Sequence, residues 1–267
     1  MPPAHTPPTI TLTTDFGLSD HYVGTMKGVI LSRCPGAQII DIAHDLPAFS
    51  IWSGAYTIDQ SAPYFPNGTV HVVVIDPGVG TERRAMVVEA GGQHFVGPDN
   101  GVFSFILEGH PNARCYRIDN KDLMLPSPSK TFHGRDIFAP AGAALAAGSV
   151  SVEAVGALIT DPIRLQNLEP REDKPGLWSG KVLHVDHFGN MITGFRSERF
   201  LTHVTATFLL KVANREISTF GNTFGEMETD ELFIYPGSSG YLEIGAKQTS
   251  AAEKVGIAPG EPVILRL

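Results

Sequence analysis

The chain has 267 residues, of which 42% are hydrophobic and 18% are charged. This composition is typical of a globular protein with its own core and excludes an intrinsically disordered chain. The net charge is -8 and the basic residues form no cluster, which excludes a typical nucleic-acid-binding protein, and no apolar run approaches the ~20 residues of a membrane span.

Strands and helices alternate along the first part of the chain. A β-rich run at Thr9–Thr14 precedes a helical period over Asp20–Cys34. The same criteria predict strands at Gln38–Ala43, Thr69–Ile75, Ala85–Ala90, His94–Val96 and Arg114–Ile118, and helices at Ile51–Ser61 (capped by Ser50), Val102–Glu108 and Ile137–Ala147. Gly91 and Gly92 predict that the strands at Ala85–Ala90 and His94–Val96 form a hairpin. This alternation predicts a layered α/β domain with a largely parallel sheet.

The composition changes after residue 168. Residues Glu169–Gly176 are polar and bounded by prolines, which is typical of an interdomain linker. Short strands follow, separated by Gly, Asn and Pro, at Lys181–Val185, Val204–Val212, Arg215–Thr219, Glu231–Ile234, Tyr241–Ile244 and Pro262–Arg266. The sequence therefore predicts an N-terminal α/β domain over 1–170, a linker at 171–176 and a smaller C-terminal all-β, barrel-like domain over 177–267.

The N-terminal residues and the cysteines indicate the compartment. The first eight residues, MPPAHTPP, have neither the basic nor the apolar region of a signal peptide. Cys34 and Cys115 are far apart and belong to no CxxC pattern, so we expect two free thiols rather than a disulfide framework. Together these features predict a cytoplasmic protein.

Residues 13–17, TTDFG, form the first polar cluster at a strand end, where open α/β sheets place their sites. The carboxylate of Asp15, just past a strand and two residues before a glycine, can accept two hydrogen bonds from a vicinal diol. The alternative is that Asp15 only caps the turn that follows.

Residues 76–84, DPGVGTERR, form the second cluster. A D-x-G-x-G turn after a strand is typical of nucleotide-binding methyltransferases, but that interpretation requires a helix next, and here a strand pattern follows. We expect instead a loop that returns Arg83 to Asp76, so that a carboxylate and a guanidinium border one small pocket. The alternative is a surface salt bridge, which stabilises by at most about 1 kcal/mol.

Three further clusters carry polar side chains. Residues 131–136, TFHGRD, place His133 before a predicted helix, where an imidazole can exchange protons near neutral pH or serve a structural role. Residues 186–190, DHFGN, and 237–241, GSSGY, resemble polar loops between strands, with tight turns as the alternative. His184, Asp186 and His187 are metal-ligand types, but no HxxxH, HExxH or paired CxxC spacing supports them, so we expect no metal.

Seven segments, in this order, resemble one family. They are TTDFGLSDHYVGTMKGVI, IIDIAHDLP, VIDPGVGTERR, VGPDNGVFS, TFHGRDIFAPA, VDHFGNMIT and SSGYLEIG. Together they are similar to the S-adenosyl-L-methionine hydroxide adenosyltransferases, relatives of the fluorinase and chlorinase enzymes, over about Ile10 to Leu267. The resemblance implies an N-terminal α/β domain, a C-terminal β-barrel, and hydrolysis of S-adenosyl-L-methionine to adenosine and L-methionine. It also implies a homotrimer with each substrate site between two subunits, and no cofactor.

The resemblance also assigns expected roles to individual residues. It gives the water-handling set of the family to Asp76, Arg83 and His133, and the ribose-diol carboxylate to Asp15. The remaining substrate contacts that it implies are Asp186 at the methionine amino group, Ser238 near the methionine carboxylate, Asn190 at the adenine, and Phe49 and Phe188 as packing surfaces. The arginine that follows the serine of the late loop in relatives is Ser239 here, which leaves open how the carboxylate is neutralised.

The halogenating relatives differ at two positions. They carry a tyrosine where this chain has Asp76, and a halide-binding serine where this chain has Gly134. An anionic Asp76 repels a halide and can accept a proton from water, so the resemblance favours water as the nucleophile. The alternatives are a non-catalytic protein that binds S-adenosyl-L-methionine or adenosine, a 5'-halo-5'-deoxyadenosine synthase, and a metal-dependent hydrolase.

Overall fold

The computed structural model describes residues 7–267, and residues 1–6, on which the expected absence of a signal peptide largely depends, lie outside it. The chain divides into two compact units between Leu165 and Gln166. Within the described residues no helix is both long and apolar enough to cross a membrane.

The first unit contains seven strands and four α-helices in the described residues. Their bounds are β1 Thr9–Thr14, α1 Tyr22–Arg33, β2 Gln38–Ala43, α2 Ile51–Ser61, β3 Val70–Val74, β4 Ala85–Ala90, β5 Gln93–Pro98, α3 Ser104–Gly109, β6 Arg114–Arg117, α4 Ala139–Ala146 and β7 Leu158–Ile159. The strands form one sheet in the order β2-β1-β3-β5-β4-β6-β7, parallel from β2 to β5 and antiparallel beyond. The prediction of an α/β domain whose sheet is largely parallel at its core is confirmed.

Alternation along β3 explains why helices cover both faces of this sheet. Val70, Val72 and Val74 belong to one core cluster, which includes residues of α1 and α4, whereas Val73 belongs to the cluster that includes residues of α2 and α3. Successive side chains of a strand point to opposite faces, so a run of apolar residues requires an apolar layer on each side. The small residue Gly142 lets α4 approach β3 closely, since a Cβ there would lie 2.8 Å from Val72.

The hairpin and the capped helix predicted for this unit are confirmed. β4 and β5 pair antiparallel through Gly91 and Gly92, whose φ angles of 58° and 77° suit a tight hairpin turn. Ser50 accepts a hydrogen bond from the backbone of Ser53 and so caps α2. The helix predicted at Ile137–Ala147 begins differently, as one π-helical turn over Gly134–Phe138 that leads into α4.

The second unit is an antiparallel, nearly closed barrel-like sheet. Its elements are β8 Arg171–Lys174, β9 Leu177–Val185, β10 Met191–Arg196, α5 Ser197–Val204, β11 Leu209–Val212, β12 Arg215–Ile217, β13 Leu232–Pro236, β14 Tyr241–Ala246, α6 Ala251–Val255 and β15 Pro262–Arg266. The strand order is β12-β11-β15-β9-β10-β14-β13, with β8 paired to β9. A bridge between Phe220 and Ile234 links the segment after β12 to β13, so the predicted all-β, barrel-like domain is confirmed.

Two local predictions in this part of the chain need correction. The strand predicted at Val204–Val212 begins only at Leu209, because α5 occupies Ser197–Val204 and buries Phe200 and Val204, four residues apart, in the barrel core. The segment predicted as a linker, 171–176, contains β8, which turns at Gly176 (φ 72°) to pair with β9. The domain boundary predicted at residue 170 stays a prediction.

Candidate active site

The first part of the candidate site lies where β1 and β3 end. These strands are adjacent and parallel, so Asp15 and Asp76, which follow them, lie at the same edge of the sheet. A cavity of about 220 Å³ opens there, and its lining includes Asp15, Phe49, Asp76 and His133. The structure therefore brings together four residues that come from four separate segments of the sequence.

Arg83 returns to Asp76 at the end of the glycine-rich loop. Its Nε donates to Asp76 Oδ1 at 3.1 Å, its Nη2 contacts Asp76 Oδ2, and its Nη1 donates to the Arg84 carbonyl at 3.1 Å. The two side chains of this bidentate pair are only 5% and 6% exposed. A charge pair buried with this many hydrogen bonds is held in one geometry, unlike a surface salt bridge.

The glycines of the loop permit a close approach to the segment before His133. A Cβ at Gly80, whose φ is 78°, would lie 2.3 Å from the Lys130 carbonyl oxygen. A side chain at this position would therefore collide with backbone. The loop is followed by β4, as predicted, so its glycines serve this contact rather than the start of a helix.

His133 joins the pair through Arg83, with its Nδ1 3.0 Å from Arg83 Nη2. A guanidinium only donates hydrogen bonds, so Nδ1 accepts and the neutral ring carries its hydrogen on Nε2. Burial, together with the positive charge of Arg83, lowers the pKa of His133 below its usual value. At pH 7 His133 is therefore neutral, with an Nε2–H group available to donate.

The π-helical turn that follows His133 is tightly packed. A Cβ at Gly134 would lie 3.1 Å from Met26 Sδ and 3.4 Å from the Phe132 ring, so a side chain here requires neighbours to move. Asp136 accepts hydrogen bonds from the Ser129 backbone at 2.8 Å and from Arg135 at 2.6 Å. These contacts fix the segment on both sides of His133. Single π-helical turns are frequent at functional sites.

Asp15 borders the same cavity and is half-buried. Its Oδ2 accepts a hydrogen bond from the Phe49 backbone at 2.8 Å. Burial raises the pKa of Asp15, against the opposite effect of this hydrogen bond. Phe49 itself has a left-handed backbone (φ 66°) and a 70% exposed side chain. A large exposed aromatic ring beside a carboxylate is suited to contact with a ligand.

The second unit holds the other predicted residues, beginning with the turn at 186–190. Asp186 Oδ1 accepts from the backbones of Phe188 and Asn190 at 2.9 and 2.8 Å, and Oδ2 accepts from Asn190 Nδ2 at 2.8 Å. Asp186 therefore organises the turn in which it lies. A Cβ at Gly189 would lie 2.1 Å from Ser250 Oγ, so this turn also needs its glycine.

A larger cavity, of about 640 Å³, adjoins this turn. Phe188 and Asn190 line it, together with Phe224, Lys247 and Ser250, which the sequence analysis did not single out. Phe188 is 76% exposed, whereas Asn190 is buried with its side-chain amide held by Asp186. The turn thus presents one aromatic face and one fixed amide to the cavity.

Ser238 lies exposed in the turn between β13 and β14, and a buried carboxylate that sequence reasoning missed anchors this turn. Glu243 accepts from Tyr235 Oη at 2.6 Å and from Ser239 Oγ at 3.2 Å. Burial raises the pKa of Glu243. A Cβ at Gly237 would lie 1.8 Å from its Oε1. The signal in the sequence that could have identified Glu243 is its position as the single charged residue in the apolar strand segment YLEIGA.

His184, Asp186 and His187, which the sequence analysis considered as metal ligands, are not arranged as a metal site. Among the residues that the structure describes, no group of three or more His, Cys, Asp or Glu side chains is arranged to hold a metal ion. His184 and Asp186 lie at the end of β9 and in the turn after it, and His187 is exposed.

Comparison with known families accounts for most of the chain. The N-terminal domain of the SAM hydroxide adenosyltransferases matches residues 10–156, and the C-terminal domain of the same family matches residues 180–264. The chain belongs to this family. The resemblance found in the sequence motifs is therefore confirmed, and the two matched domains lie in the two structural units.

Relatives whose names state an activity are similar to this chain over nearly their whole length. A protein of Thermus thermophilus named (R)-S-adenosyl-L-methionine hydrolase is 38% identical over 259 residues, covering 94% of this chain and 97% of the relative. A protein of the same name from Methanocaldococcus jannaschii is 34% identical, covering 93% and 92%. The fluorinase of an Actinoplanes species is 27% identical, covering 97% of each chain.

A solved structure has the same fold. The crystal structure of an uncharacterized conserved protein from Thermotoga maritima is 35% identical and superimposes with a TM-score of 0.85, covering 97% of this chain and 100% of that chain. The agreement extends over both units of the chain.

Proposed function

We propose that this chain hydrolyses S-adenosyl-L-methionine to adenosine and L-methionine. The observation that carries the proposal is the hydrogen-bonded set of Asp76, Arg83 and His133, which lies at the edge of a cavity that Asp15 also borders. The hydrolase name of relatives 34–38% identical supports the same activity. The anionic Asp76, at the position where halogenating relatives carry tyrosine, favours water over a halide.

In the proposed reaction water attacks ribose C5' in line with the sulfonium. A C5'–O bond forms, the C5'–S bond breaks, its electron pair goes to sulfur, and one proton leaves the water. The sulfonium is a good leaving group, so the need is to orient and deprotonate a poor nucleophile. Preorganised hydrogen-bond donors stabilise the charge that develops on the oxygen as the proton leaves, and they do so more strongly in a site shielded from solvent.

The hydrogen-bond pattern supports a division of roles. Arg83 already occupies the Nδ1 lone pair of His133, so the imidazole acts on the water as a donor through Nε2. Asp76 keeps unused lone pairs on its carboxylate after the two bonds from Arg83, and it accepts the water proton. Arg83 holds both partners and balances the negative charge of Asp76.

The substrate contacts are proposals that follow the family pattern. Asp15 accepts hydrogen bonds from the ribose diol, and Phe49 packs against the nucleoside. Asp186 Oδ2, which accepts one hydrogen bond within its turn, has capacity for the methionine ammonium. The contacts proposed in the second unit are completed by Asn190 at the adenine, Phe188 as a packing surface and Ser238 near the methionine carboxylate.

We propose further that the working form is a cytoplasmic homotrimer that needs no cofactor, with each site shared by two subunits. The exposed rings of Phe49 and Phe188 support shared sites, because aromatic side chains that bind a nucleoside are usually covered in the working site. Activity that survives exhaustive treatment with a chelator would agree with catalysis by side chains alone, whereas loss restored by added metal would support a metal-dependent hydrolase.

The direct test is incubation of the purified protein with S-adenosyl-L-methionine and detection of adenosine by chromatography. We expect adenosine and methionine in equal amounts, and no 5'-halo nucleoside when chloride or fluoride is added. Asp76→Ala and His133→Ala should abolish release of adenosine while calorimetry still detects ligand binding. Tight binding without turnover by the unaltered protein would instead support a non-catalytic sensor.

A further inference from the structure

A buried histidine, His44, contacts the turn that carries Asp15, the carboxylate proposed to bind the ribose diol. Thr14 Oγ1 and His44 Nδ1 are 2.8 Å apart, and both side chains are buried. The same Thr14 hydroxyl accepts a hydrogen bond from the Phe16 backbone at 3.3 Å. The Gly17 backbone donates to the His44 carbonyl at 2.6 Å. Asp15 thus lies within a turn that is attached to His44 on both sides.

The position of His44 is itself fixed by charged neighbours. Its Nε2 lies 3.1 Å from Asp41 Oδ1, and Lys27 Nζ lies 2.6 Å from Asp41 Oδ2. These contacts link α1 and β2 to the end of β1. The Thr14 hydroxyl at Nδ1 and the Asp41 carboxylate near Nε2 restrict the orientation of the ring, and the ring in turn restricts the Thr14 hydroxyl.

We infer that His44 is a positioning residue for Asp15, acting through Thr14 and the Gly17 backbone. It holds the turn so that the Asp15 carboxylate meets both hydroxyls of a ribose. This inference rests on the proposed function, because it takes the ribose diol as the group that Asp15 binds. The inference gives a function to the segment IIDIAHDLP, which contains His44 and contributes no residue to the site described above.

The chain contains a matched control for this pair. Thr11 Oγ1 and His71 Nδ1 are also 2.8 Å apart and buried, and Thr11 belongs to the same strand as Thr14. His71 packs between the rings of Phe65 and Phe95, within the apolar interior. Within the part of the chain that the structure describes, the hydrogen bond and ring contacts of this pair do not involve the turn at Asp15, so we expect its loss to affect stability alone.

The experiment compares Thr14→Val with Thr11→Val, and His44→Asn with His71→Asn. Calorimetry measures the dissociation constants of adenosine and 2'-deoxyadenosine, and steady-state kinetics measures kcat and KM for S-adenosyl-L-methionine. We expect Thr14→Val and His44→Asn to reduce the preference for adenosine by about fivefold to tenfold and to raise KM, with kcat within about twofold of the unaltered protein. Thr11→Val and His71→Asn should lower Tm and keep the preference.

Two results would overturn the inference. One is a folded Thr14→Val protein that keeps the full preference for adenosine, and the other is an equal loss of preference in the Thr11 and His71 variants. Thr14→Val is close in volume to the unaltered residue, so it decides the matter even where His44→Asn does not fold. If the unaltered protein binds both nucleosides equally, the proposed role of Asp15 fails together with that of His44, whereas turnover by the same protein would still support hydrolysis.

Discussion

Arg83 is the residue on which the geometry of the proposed site depends. It donates to both oxygens of Asp76, to His133 and to the Arg84 carbonyl, and its guanidinium lies 5.3 Å from the centre of the Phe138 ring. A planar fork of donors can satisfy all these acceptors at once, whereas the ammonium of a lysine is a single point of charge. The site therefore requires arginine and not merely a cation.

The first prediction concerns this requirement. Arg83→Lys should lower kcat by about 100-fold, the typical cost of one misplaced stabilising donor, because lysine cannot hold Asp76 and His133 together. Steady-state release of adenosine measures the effect, and calorimetry checks that substrate still binds. Arg114→Lys, at a half-exposed pair with Glu89 and Glu153, is the control and should keep full activity. Equal activity of the two variants would contradict the proposed role.

The second prediction concerns pH. Burial and the charge of Arg83 lower the pKa of His133, and protonation would place a hydrogen on Nδ1 against the guanidinium. We expect kcat/KM to stay constant as pH falls from 8 to 6.5 and to decrease only below pH 6.5, which is the usual value for histidine. Rates measured across pH, with NMR titration of His133, test this. An acidic limb centred above pH 6.5 would contradict the assignment.

At the scale of elements, β1 and β3 belong to the core of the sheet and also position two site residues at its edge. Both strands are almost entirely buried, and a carboxylate follows the end of each, so the strands that form the core also place Asp15 and Asp76 at one edge of the sheet. Buried polar pairs between these strands and their neighbours replace hydration with hydrogen bonds. The Thr11–His71 pair is one such contact, and it has a cost at low pH.

The third prediction follows from that pair. Burial lowers the pKa of His71 to about 4, whereas the unfolded chain protonates near 6.5. The unfolded state therefore binds more protons between these values, so stability is complete above pH 6.5 and falls as pH decreases toward 4, by about 3 kcal/mol. Urea unfolding across pH measures this. The double variant Thr11→Val/His71→Leu should show a flatter profile, and an unchanged slope would contradict the assignment.

At the scale of the whole molecule, the proposed substrate contacts are divided between the two units. The carboxylate, guanidinium and imidazole belong to the α/β unit, whereas Asp186, Asn190 and Ser238 belong to the barrel-like unit. This division is consistent with the proposal that each site is completed by a neighbouring copy of the chain.

The fourth prediction is the size of the active particle. Light scattering should give a mass three times the 28.7 kDa of one chain. Because each proposed site uses two subunits, activity per chain should decrease on dilution below the concentration at which the trimer dissociates. A monomer with undiminished activity per chain at all concentrations would contradict the shared site.

The sequence by itself determined the elements whose signals are local. The run of β-branched residues in β3, the Gly91-Gly92 hairpin and the Ser50 cap depend on residues a few positions apart, and the structure has all three. The glycine-rich loop at 76–84 was likewise assigned to a turn before a strand, because the following residues lack a helical period.

Only the tertiary structure decided which polar residues meet. His133 lies 50 positions from Arg83 in the sequence, and only the structure shows that the two side chains are in hydrogen-bond contact. Val204 shows the same limit. Its β-branched side chain favours a strand, but in the structure Val204 and Phe200 lie on one face of α5 and are buried in the barrel core. Local propensities are worth tenths of a kcal/mol per residue, and burial of one large side chain outweighs them.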